Sequence, residues 1–395
     1  MRIADRPGMR SRREAFTRGS SAIVGAATFG IGESPGWSAV ELAAMAAVRA
    51  LADAGLQPRD ADAVFACLPE DVFATMHCAE HLGIQPRLTD NNRTGGSAFM
   101  THVIHAAAAL QARACDVALI MYGSNQRSSA GKLVTARQPS IHEAPYRPLT
   151  PVSSYALAAA RHMYQYGTTR EQLAAVAVSA RQWANLNPDA FARGELTIDQ
   201  CLAARMVSDP LSTRDCCLVT DGAAAIVMTR AERFADLPHE PVFVLGGAAA
   251  TWHDGIAQMP DLTVTAARES GVRAFAHAGI SASDVDVVEL YDAFTINTIL
   301  FLEDLGFCAK GEGGPFVQSG AIAPGGGLPV NTNGGGLSCV HPGMYGLFAL
   351  VEARQQLAGL AGDRQVKEAE IAVAHGNGLV LSSQSTIVLG TRATL

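Results

Sequence analysis

"VRALADAGLQPRDADAVFA", residues 48–66, returns 224 positions later as "VRAFAHAGISASDVDVVEL", residues 272–290, with nine of 19 aligned residues identical. Each copy has the pattern of an amphipathic helix that ends at a glycine, Gly55 or Gly279, followed by a polar turn and an apolar strand. This spacing is far too long for a solenoid repeat and indicates one α/β unit that has been duplicated. The sequence therefore predicts two similar halves packed together.

The duplication suggests how the chain is divided. We expect an N-terminal half over residues 21–240 and a C-terminal half over residues 241–395. Within the first half, residues from about 125 to 207 are rich in alanine and aromatic side chains, and they are predicted to form a helical insertion that serves as a lid or ligand wall. Residues 1–20 contain six arginines without the apolar run of a signal peptide, so they are predicted to form a basic, disordered tail.

The composition excludes several functional classes. The 395-residue chain has a net charge of −7 and, apart from its N-terminal arginines, no basic footprint for nucleic acid. Its apolar runs are broken well before the roughly 18 residues that a membrane span needs. The eight cysteines include no CxxC pair, which argues against a disulfide framework or a zinc knuckle and favours a reducing, cytoplasmic setting.

Four polar stretches interrupt predicted apolar elements at strand ends, where open α/β sheets place their ligands. In chain order they are "NNRTGGS" (91–97), "LYDAFT" (290–295), "NTNGGGLSCVHPGMYG" (331–346) and "AHGNG" (374–378). Each alone is most simply a turn or a structural histidine. The duplication, however, brings them to equivalent edges of two packed halves, where they supply acid and base groups without a metal cage. These groups are Tyr291, His341, Tyr345 and His375.

The same stretches carry a resemblance to the thiolase superfamily. "NTNGGGLSCVHPG" resembles the Asn-rich, Gly-rich stretch ending in Gly-His-Pro of that superfamily, and "YDAF" stands where thiolases have Asn-Glu-Ala-Phe. "HGNG" stands where they have a catalytic cysteine followed by glycines, and "SDPLSTRDCCLVTDGAAAIVM" is similar to the segment that closes the first half. The similarity extends from about Ser21 over nearly the whole chain and is nearest to the lipid-transfer, sterol-carrier-type thiolase-like branch.

The resemblance implies a fold and a ligand. The fold is α/β, a duplicated thiolase fold with two five-stranded mixed sheets in an α/β/α/β/α arrangement and a helical lid insertion. The expected substrate is an acyl-CoA thioester, with CoA as part of the substrate and no bound cofactor or metal. A homodimer is expected. A separate zinc-ribbon and OB-fold partner subunit is also expected, since this chain has no four-cysteine zinc signature of its own.

The departures from the family concern its nucleophile. Thiolases attack with a cysteine at the start of the first-half helix, yet no cysteine lies between Cys78 and Cys115. Alignment of "GGS" on the family turn puts Arg93 or Thr94 at that position, and His375 replaces the second catalytic cysteine. An arginine has no nucleophilic lone pair at neutral pH, and a threonine hydroxyl needs an adjacent base.

Loss of the nucleophile favours retro-aldol cleavage of a 3-hydroxyacyl-CoA, which needs a base and an enolate-stabilising pocket but no acyl-enzyme. Thiolase-like aldolases acting on steroid CoA esters resemble this chain in having a tyrosine in the "YDAF" motif and a second in the Gly-rich region. The resemblance implies that Tyr291 is base or acid on the substrate hydroxyl, assisted by Tyr345. His341 and His375 are expected to bind the thioester oxygen, and Arg93 to set the charge around Tyr291. Residues expected to contact the CoA ester are Gly95, Gly96, Asn331, Gly335, Gly376 and Asn377.

Two alternatives remain at this point. The first is an acetyl-CoA acetyltransferase or thiolase activity, for which Cys339, two residues before His341, is the candidate nucleophile. The second is a non-catalytic subunit that binds a CoA ester or acts as a scaffold. The acyl group of the substrate is not indicated by the sequence.

Overall fold

The computed structural model describes residues 17–129, 141–233 and 238–395, so most of the predicted basic tail lies outside the described residues. The described strands are β1 (Ser21–Gly32), β2 (Ala63–Ala66), β3 (Leu88–Asp90), β4 (Val117–Ser124), β5 (Met206–Ser208), β6 (Leu211–Ser212), β7 (Asp221–Arg230), β8 (Val242–Thr251), β9 (Val287–Leu290), β10 (Ile371–Gly378) and β11 (Ser383–Gly390). The described helices are α1 (Ala39–Asp53), α2 (Ala74–Leu82), α3 (Ala98–Gln111), α4 (Val152–Tyr166), α5 (Arg170–Asn185), α6 (Ile198–Leu202), α7 (Ala267–Ala278), α8 (Thr295–Asp304), α9 (Gly313–Gln318) and α10 (Gly346–Leu357).

The repeated sequence forms the same local structure twice. The first copy forms the end of α1 and then β2, and the second forms the end of α7 and then β9. Gly55 and Gly279 have φ values of 69° and 67°, a left-handed conformation in which glycine, having no Cβ, ends a helix without strain. The duplicated α/β unit predicted from the sequence is therefore confirmed.

Nine of the described strands form one continuous sheet in the order β3-β2-β4-β7-β1-β8-β11-β10-β9, and β5 pairs with β6 in a separate two-stranded sheet. The first five strands belong to the first half of the chain and the other four to the second. The halves join where β1 and β8 pair antiparallel through two residue pairs, Ala22 with Phe243 and Ile23 with Val242. The strand order of one half is thus the mirror of the other about this junction.

The expectation of two five-stranded sheets needs correction, because the described strands of the two halves share one nine-stranded sheet. In the second half, the fifth place is taken by Val330, which makes a single parallel bridge to Val288. Pro329 has no N–H to extend this ladder, and Asn331 leaves extended geometry with a φ of 53°. The α/β thiolase-type architecture itself is as predicted.

Two helices lie in the centre of the molecule and connect both halves. Helix α3 packs against β4 and β7 of the first half and against β8, β10 and β11 of the second, and it also contacts α10. Helix α10 packs on β9, β10 and β7. Their N-termini therefore meet near the carboxyl ends of β9 and β10, and this is where the predicted site residues lie.

The insertion between β4 and β5 is helical where the structure describes it. Helices α4, α5 and α6 lie in this part of the chain, and residues 130–140 of the predicted lid lie outside the described residues. Helix α5 packs against α9 and against the π-helical turn Gly335–Cys339. Over the described ranges, no helix has the length and apolar character needed to cross a membrane.

Candidate active site

Tyr291 and His341 form the centre of the site. Tyr291 follows β9, and its backbone N–H donates to the His375 carbonyl over 3.0 Å. Its hydroxyl lies 3.1 Å from His341 Nε2 and 3.4 Å from the Gly343 carbonyl oxygen, so His341 is the nearer of the two possible acceptors. The two rings meet edge to face, with 5.5 Å between centroids. The structure thus brings together two of the four groups that the sequence assigned to acid and base chemistry.

Burial sets the charge state of this pair. It raises the pKa of the Tyr291 hydroxyl well above its usual range, and it lowers the pKa of His341 to about 4. Both side chains are therefore neutral near pH 7. A neutral phenol beside a neutral imidazole can pass a proton along without creating a net charge in the buried site.

Tyr345 contacts Tyr291 through its ring and not through its hydroxyl. The two rings lie edge to face with 6.0 Å between centroids. The Tyr345 hydroxyl donates to Asn333 Oδ1 over 2.9 Å, and the same oxygen accepts the Gly335 N–H at 2.7 Å. Burial raises the pKa of Tyr345 well above its usual range. This tyrosine therefore holds the Gly-rich turn and forms one wall of the site.

The His375 side chain lies away from the Tyr291 hydroxyl. Its Nδ1 is 2.9 Å from Thr386 Oγ1 and its Nε2 is 2.8 Å from Gln384 Oε1. Successive residues of a strand point to opposite faces of the sheet; Gly376 faces α3, where an added Cβ would lie 2.6 Å from Met100 Sδ. Because both ring nitrogens are engaged, this geometry does not favour the expected contact of His375 with the thioester oxygen.

The "GGS" turn at the start of α3 packs directly on the ring of Tyr291. A Cβ on Gly96 would lie 1.9 Å from Tyr291 Cε2 and 2.8 Å from the Asn377 carbonyl oxygen. Gly95 has a φ of 83°, and a Cβ there would lie 2.9 Å from the Cα of Gly378. Both positions need glycine, so this turn contributes backbone to the site.

The two residues aligned with the family nucleophile do not take its place. Arg93 is exposed, and its guanidinium donates to the carbonyls of Pro69 and Asp71 over 2.7 and 3.0 Å. The expected influence of Arg93 on the charge around Tyr291 is therefore not supported by its position. Thr94 Oγ1 accepts from the Ser97 hydroxyl over 3.1 Å, and a neutral serine is not a base that could activate a threonine nucleophile near pH 7.

The cysteines near the site are poor nucleophiles. Cys339 is buried with its Sγ 3.6 Å from Asn187 Nδ2, and burial raises its pKa far above the usual range. Cys217 lies beside the "YDAF" motif, where its backbone N–H donates to the Ala293 carbonyl over 2.8 Å. Burial also raises the pKa of Cys217 well above its usual value. Since the thiolate is the nucleophile, neither group is poised to attack.

Sequence reasoning missed several polar residues that shape the site. Asp292 accepts the Gly336 N–H over 2.6 Å, and burial raises its pKa to about 7. Asn297 Nδ2 donates to the Tyr291 carbonyl over 3.2 Å. Asn331, which was predicted to contact the CoA ester, instead accepts the Leu290 N–H with Oδ1 over 2.6 Å. Asp292 belongs to the quoted "YDAF" motif, so the signal for it was present in the sequence.

An apolar cavity of about 740 Å³ lies on the outer side of the lid helix α4. Among the described residues that line it, none belongs to the predicted site. Its apolar lining includes Ala156, Leu157, Ala160, Ile256, Met259 and Leu262. We take the tyrosine and histidine cluster, and not this cavity, as the reaction centre because only the cluster has acid and base groups in contact. The described residues contain no group of three or more His, Cys, Asp or Glu side chains that could hold a metal ion.

Comparison with known proteins identifies the family of the chain. Residues 248–391 match the family described as thiolase C-terminal domain-like. The chain is 33% identical to the acetyl-CoA acetyltransferase of Methanothermobacter thermautotrophicus over 376 residues, which cover 90% of this chain and 96% of the relative. It is 33% identical to the 17-hydroxy-3-oxo-4-pregnene-20-carboxyl-CoA lyase of Mycobacterium tuberculosis over 394 residues, 94% of this chain and 99% of the relative.

A solved structure described as "Ltp2-ChsH2(DUF35) aldolase" superimposes with a TM-score of 0.87 and 30% identity, over 96% of this chain and 99% of that one. The chain belongs to the thiolase superfamily. Within it, the lyase relative and the aldolase structure agree with the predicted aldolase-like branch.

Proposed function

We propose that this protein cleaves the C2–C3 bond of a 3-hydroxyacyl-CoA ester by a retro-aldol reaction without an acyl-enzyme. The observation that carries the proposal is the buried contact of 3.1 Å between the Tyr291 hydroxyl and His341 Nε2, beside a helix start that has glycine at position 96. The site has proton-transfer groups in contact, whereas its thiols are held protonated by burial. Retro-aldol cleavage needs proton-transfer groups and does not need a reactive thiol.

The reaction then follows from the chemistry of the pair. The Tyr291 oxygen takes the proton of the substrate 3-hydroxyl as its own proton passes to His341 Nε2. The C3 oxygen forms a carbonyl, the C2–C3 bond breaks, and its electron pair moves into the thioester as an enolate. A proton returned through Tyr291 to C2 completes the acyl-CoA product and leaves an aldehyde or ketone. We assign the enolate oxygen to backbone N–H groups at the start of α3, where the helix dipole favours negative charge.

The relatives support a substrate class for this reaction. The name of the Mycobacterium tuberculosis relative describes a lyase for a CoA ester with a steroid ring system and a hydroxyl group, and a relative from Thermomonospora curvata is named a steroid side-chain-cleaving aldolase. We propose an apolar 3-hydroxyacyl-CoA of this kind for the present chain. The residues proposed to contact the CoA ester are Gly95, Gly96, Gly335, Gly376 and Asn377.

The assembly remains a proposal as well. The description of the aldolase structure joins two protein names, which supports a partner subunit for this chain too. We propose that the partner carries the zinc-ribbon and OB-fold module, that the catalytic chain forms a homodimer, and that the complex is cytoplasmic.

A product assay separates the proposal from its alternatives. The protein, with its co-purified partner, is incubated with 17-hydroxy-3-oxo-4-pregnene-20-carboxyl-CoA and with simpler 3-hydroxyacyl-CoA esters, and the release of acyl-CoA and ketone is followed by mass spectrometry. A retro-aldol enzyme releases both products from hydroxy esters without added free CoA. Cleavage of 3-oxoacyl-CoA esters that depends on free CoA would instead identify a thiolase.

An acyltransferase is the second candidate, favoured by the Methanothermobacter relative at 33% identity. It predicts an acyl-enzyme, seen as a mass increase of the intact protein after exposure to acetyl-CoA and lost in Cys339→Ala. A scaffold subunit, the third candidate, predicts binding of acyl-CoA with turnover of none of these esters.

A further inference from the structure

Tyr155 connects the lid helix α4 to the strand that backs the reaction centre. Its side chain is 2% exposed, although its neighbours Ser154 and Ala156 line the outer cavity. Its ring lies over Phe294 with 4.3 Å between centroids and an interplanar angle of 30°. Phe294 is the last residue of the motif that begins with Tyr291, so Tyr155 reaches the site from the lid side.

The hydroxyl of Tyr155 bonds twice to the carboxyl end of β10. It donates to the Leu379 carbonyl over 2.8 Å and accepts from Asn377 Nδ2 over 2.8 Å. The carbonyl oxygen of Asn377 lies 2.8 Å from where a Cβ on Gly96 would be, at the turn on which the Tyr291 ring rests. The lid helix, β10 and the start of α3 are therefore in contact within a few residues.

These bonds continue through the side chains of Asn377, Gln384 and His375, a series of hydrogen bonds that we call the relay. Gln384 Nε2 donates to Asn377 Oδ1 over 2.7 Å, and Gln384 Oε1 lies 2.8 Å from His375 Nε2. Because the Tyr155 hydroxyl donates to the Leu379 carbonyl, it accepts from Asn377, and this fixes which end of the Asn377 amide is N–H and which is C=O. Asn377 in turn orients the Gln384 amide, so the Tyr155 hydroxyl sets the direction of every hydrogen bond in the series. His375 Nε2 must then carry the proton, and His375 Nδ1 accepts from Thr386. Burial lowers the pKa of His375 to about 4, which agrees with a neutral ring.

From this geometry we propose that Tyr155 is a positioning residue for the reaction centre: through Asn377 and Gln384 its hydroxyl fixes the tautomer of His375 and the path of β10 behind Tyr291. The proposal rests on the proposed function for its kinetic consequence, but not for its structural one. His375 gains a role that fits its position, since its carbonyl accepts the Tyr291 N–H. Without the Tyr155 hydroxyl, the side-chain amides of Asn377 and Gln384 can flip, exchanging their N–H and C=O ends. Strand β10, which supports Tyr291, is then held less firmly.

The test compares two Tyr→Phe variants on one helix. Tyr155→Phe keeps the stacked ring and removes the hydroxyl, whereas Tyr164→Phe makes the same change at a side chain that is 85% exposed. We expect Tyr155→Phe to lower kcat about tenfold, with KM for the CoA ester changed less than about twofold, and Tyr164→Phe to match the wild type. A Tyr155→Phe variant that loses thermal stability but keeps kcat would reduce Tyr155 to a structural residue and overturn the proposal.

A double-mutant cycle examines whether Tyr155 acts through the relay. Gln384→Met removes both amide bonds at nearly constant volume. If Tyr155 and Gln384 act through one chain of bonds, the double variant is no slower than the slower single variant. Multiplication of the two losses would show independent effects and would contradict the relay.

A spectroscopic measurement decides the structural claim without turnover. In protein labelled with ¹⁵N-histidine, the His375 signals are identified by their loss in His375→Gln. We expect the Nε2–H tautomer in the wild type and a mixture of tautomers in Tyr155→Phe. If no hydroxyacyl-CoA is cleaved by the wild type, the proposed function fails while this measurement still applies. Identical His375 signals in the wild type and Tyr155→Phe would refute the positioning role.

Discussion

The turn that opens α3 in the first half and the turns that follow β9 and β10 in the second meet at one place, yet they contribute different things. The first supplies backbone, with glycine at positions 95 and 96 and with Arg93 directed toward the carbonyls of residues 69 and 71. The second half supplies the side chains that we propose to react, Tyr291 and His341, in contact at 3.1 Å. A duplicated fold can thus assign shape to one copy and chemistry to the other.

The largest expected effect is on the second-half side. Tyr291→Phe keeps the ring that packs on Gly96 but removes the hydroxyl that is proposed to exchange protons with His341. We expect kcat for cleavage of a 3-hydroxyacyl-CoA to fall about 10²-fold or more, the range of a general acid or base. Product release followed by mass spectrometry measures it. Full activity in Tyr291→Phe would show that cleavage does not depend on the Tyr291 hydroxyl and would favour a different base.

Both halves of the chain contain a buried neutral histidine, so the pH dependence of stability and of kcat can be compared between the two. Burial lowers the pKa of His341 to about 4 in the second half and that of His102 to about 4 in the first, where His102 Nε2 accepts the Asn92 N–H over 3.1 Å. The unfolded chain binds a proton at each near pH 6.5, so the stability that these neutral rings contribute is present above pH 6.5 and is lost as pH falls toward 4.

Urea unfolding at several pH values between 6.5 and 4 measures this loss, which is on the order of 3 kcal/mol for each histidine. His341→Gln and His102→Gln should each make the decline of unfolding free energy with falling pH less steep. Only the first is expected to alter the pH profile of kcat, because only His341 contacts Tyr291. Equal changes in the two kinetic profiles would contradict the division between shape and chemistry.

A substitution at the turn tests the contribution of the first half. In Gly96→Ala the new methyl group would lie 1.9 Å from Tyr291 Cε2, so the ring must shift from the position in which its hydroxyl contacts His341. We expect a loss of about 1–3 kcal/mol in unfolding free energy, as for other overpacked sites, together with at least a tenfold loss of kcat (about 1.4 kcal/mol). Gly327→Ala is the control, since a Cβ there meets open space. An active, stable Gly96→Ala variant would mean that Tyr291 can work from another position.

The sequence was sufficient to predict the duplicated fold and the main site residues, and insufficient to predict how the residues around them are oriented. The repeat with Gly55 and Gly279 predicted the duplicated α/β unit, because a glycine stop after an amphipathic helix is a local signal. The resemblance at "YDAF" and "CVHPG" placed Tyr291 and His341 in the site. The face of the sheet on which His375 lies depends on the register of β10, because a shift of one residue would move every side chain of the strand to the opposite face. The contacts of Arg93 and Tyr155 depend on tertiary packing, for which their own sequence neighbourhoods carry no signal.

The smallest expected effect concerns Arg93, the residue aligned with the lost nucleophile. Its guanidinium holds two carbonyls of a neighbouring loop at an exposed position, so Arg93→Ala should change unfolding free energy by only about 0.5 kcal/mol and leave kcat, KM and the pH profile as in the wild type. The same assays as for Tyr291→Phe apply, with Arg87→Ala as an exposed control on the preceding loop. A tenfold loss of activity confined to Arg93→Ala would show that this side chain turns toward the CoA ester during the reaction. The first half would then contribute chemistry as well as shape, and the absent cysteine would have been replaced by a cation.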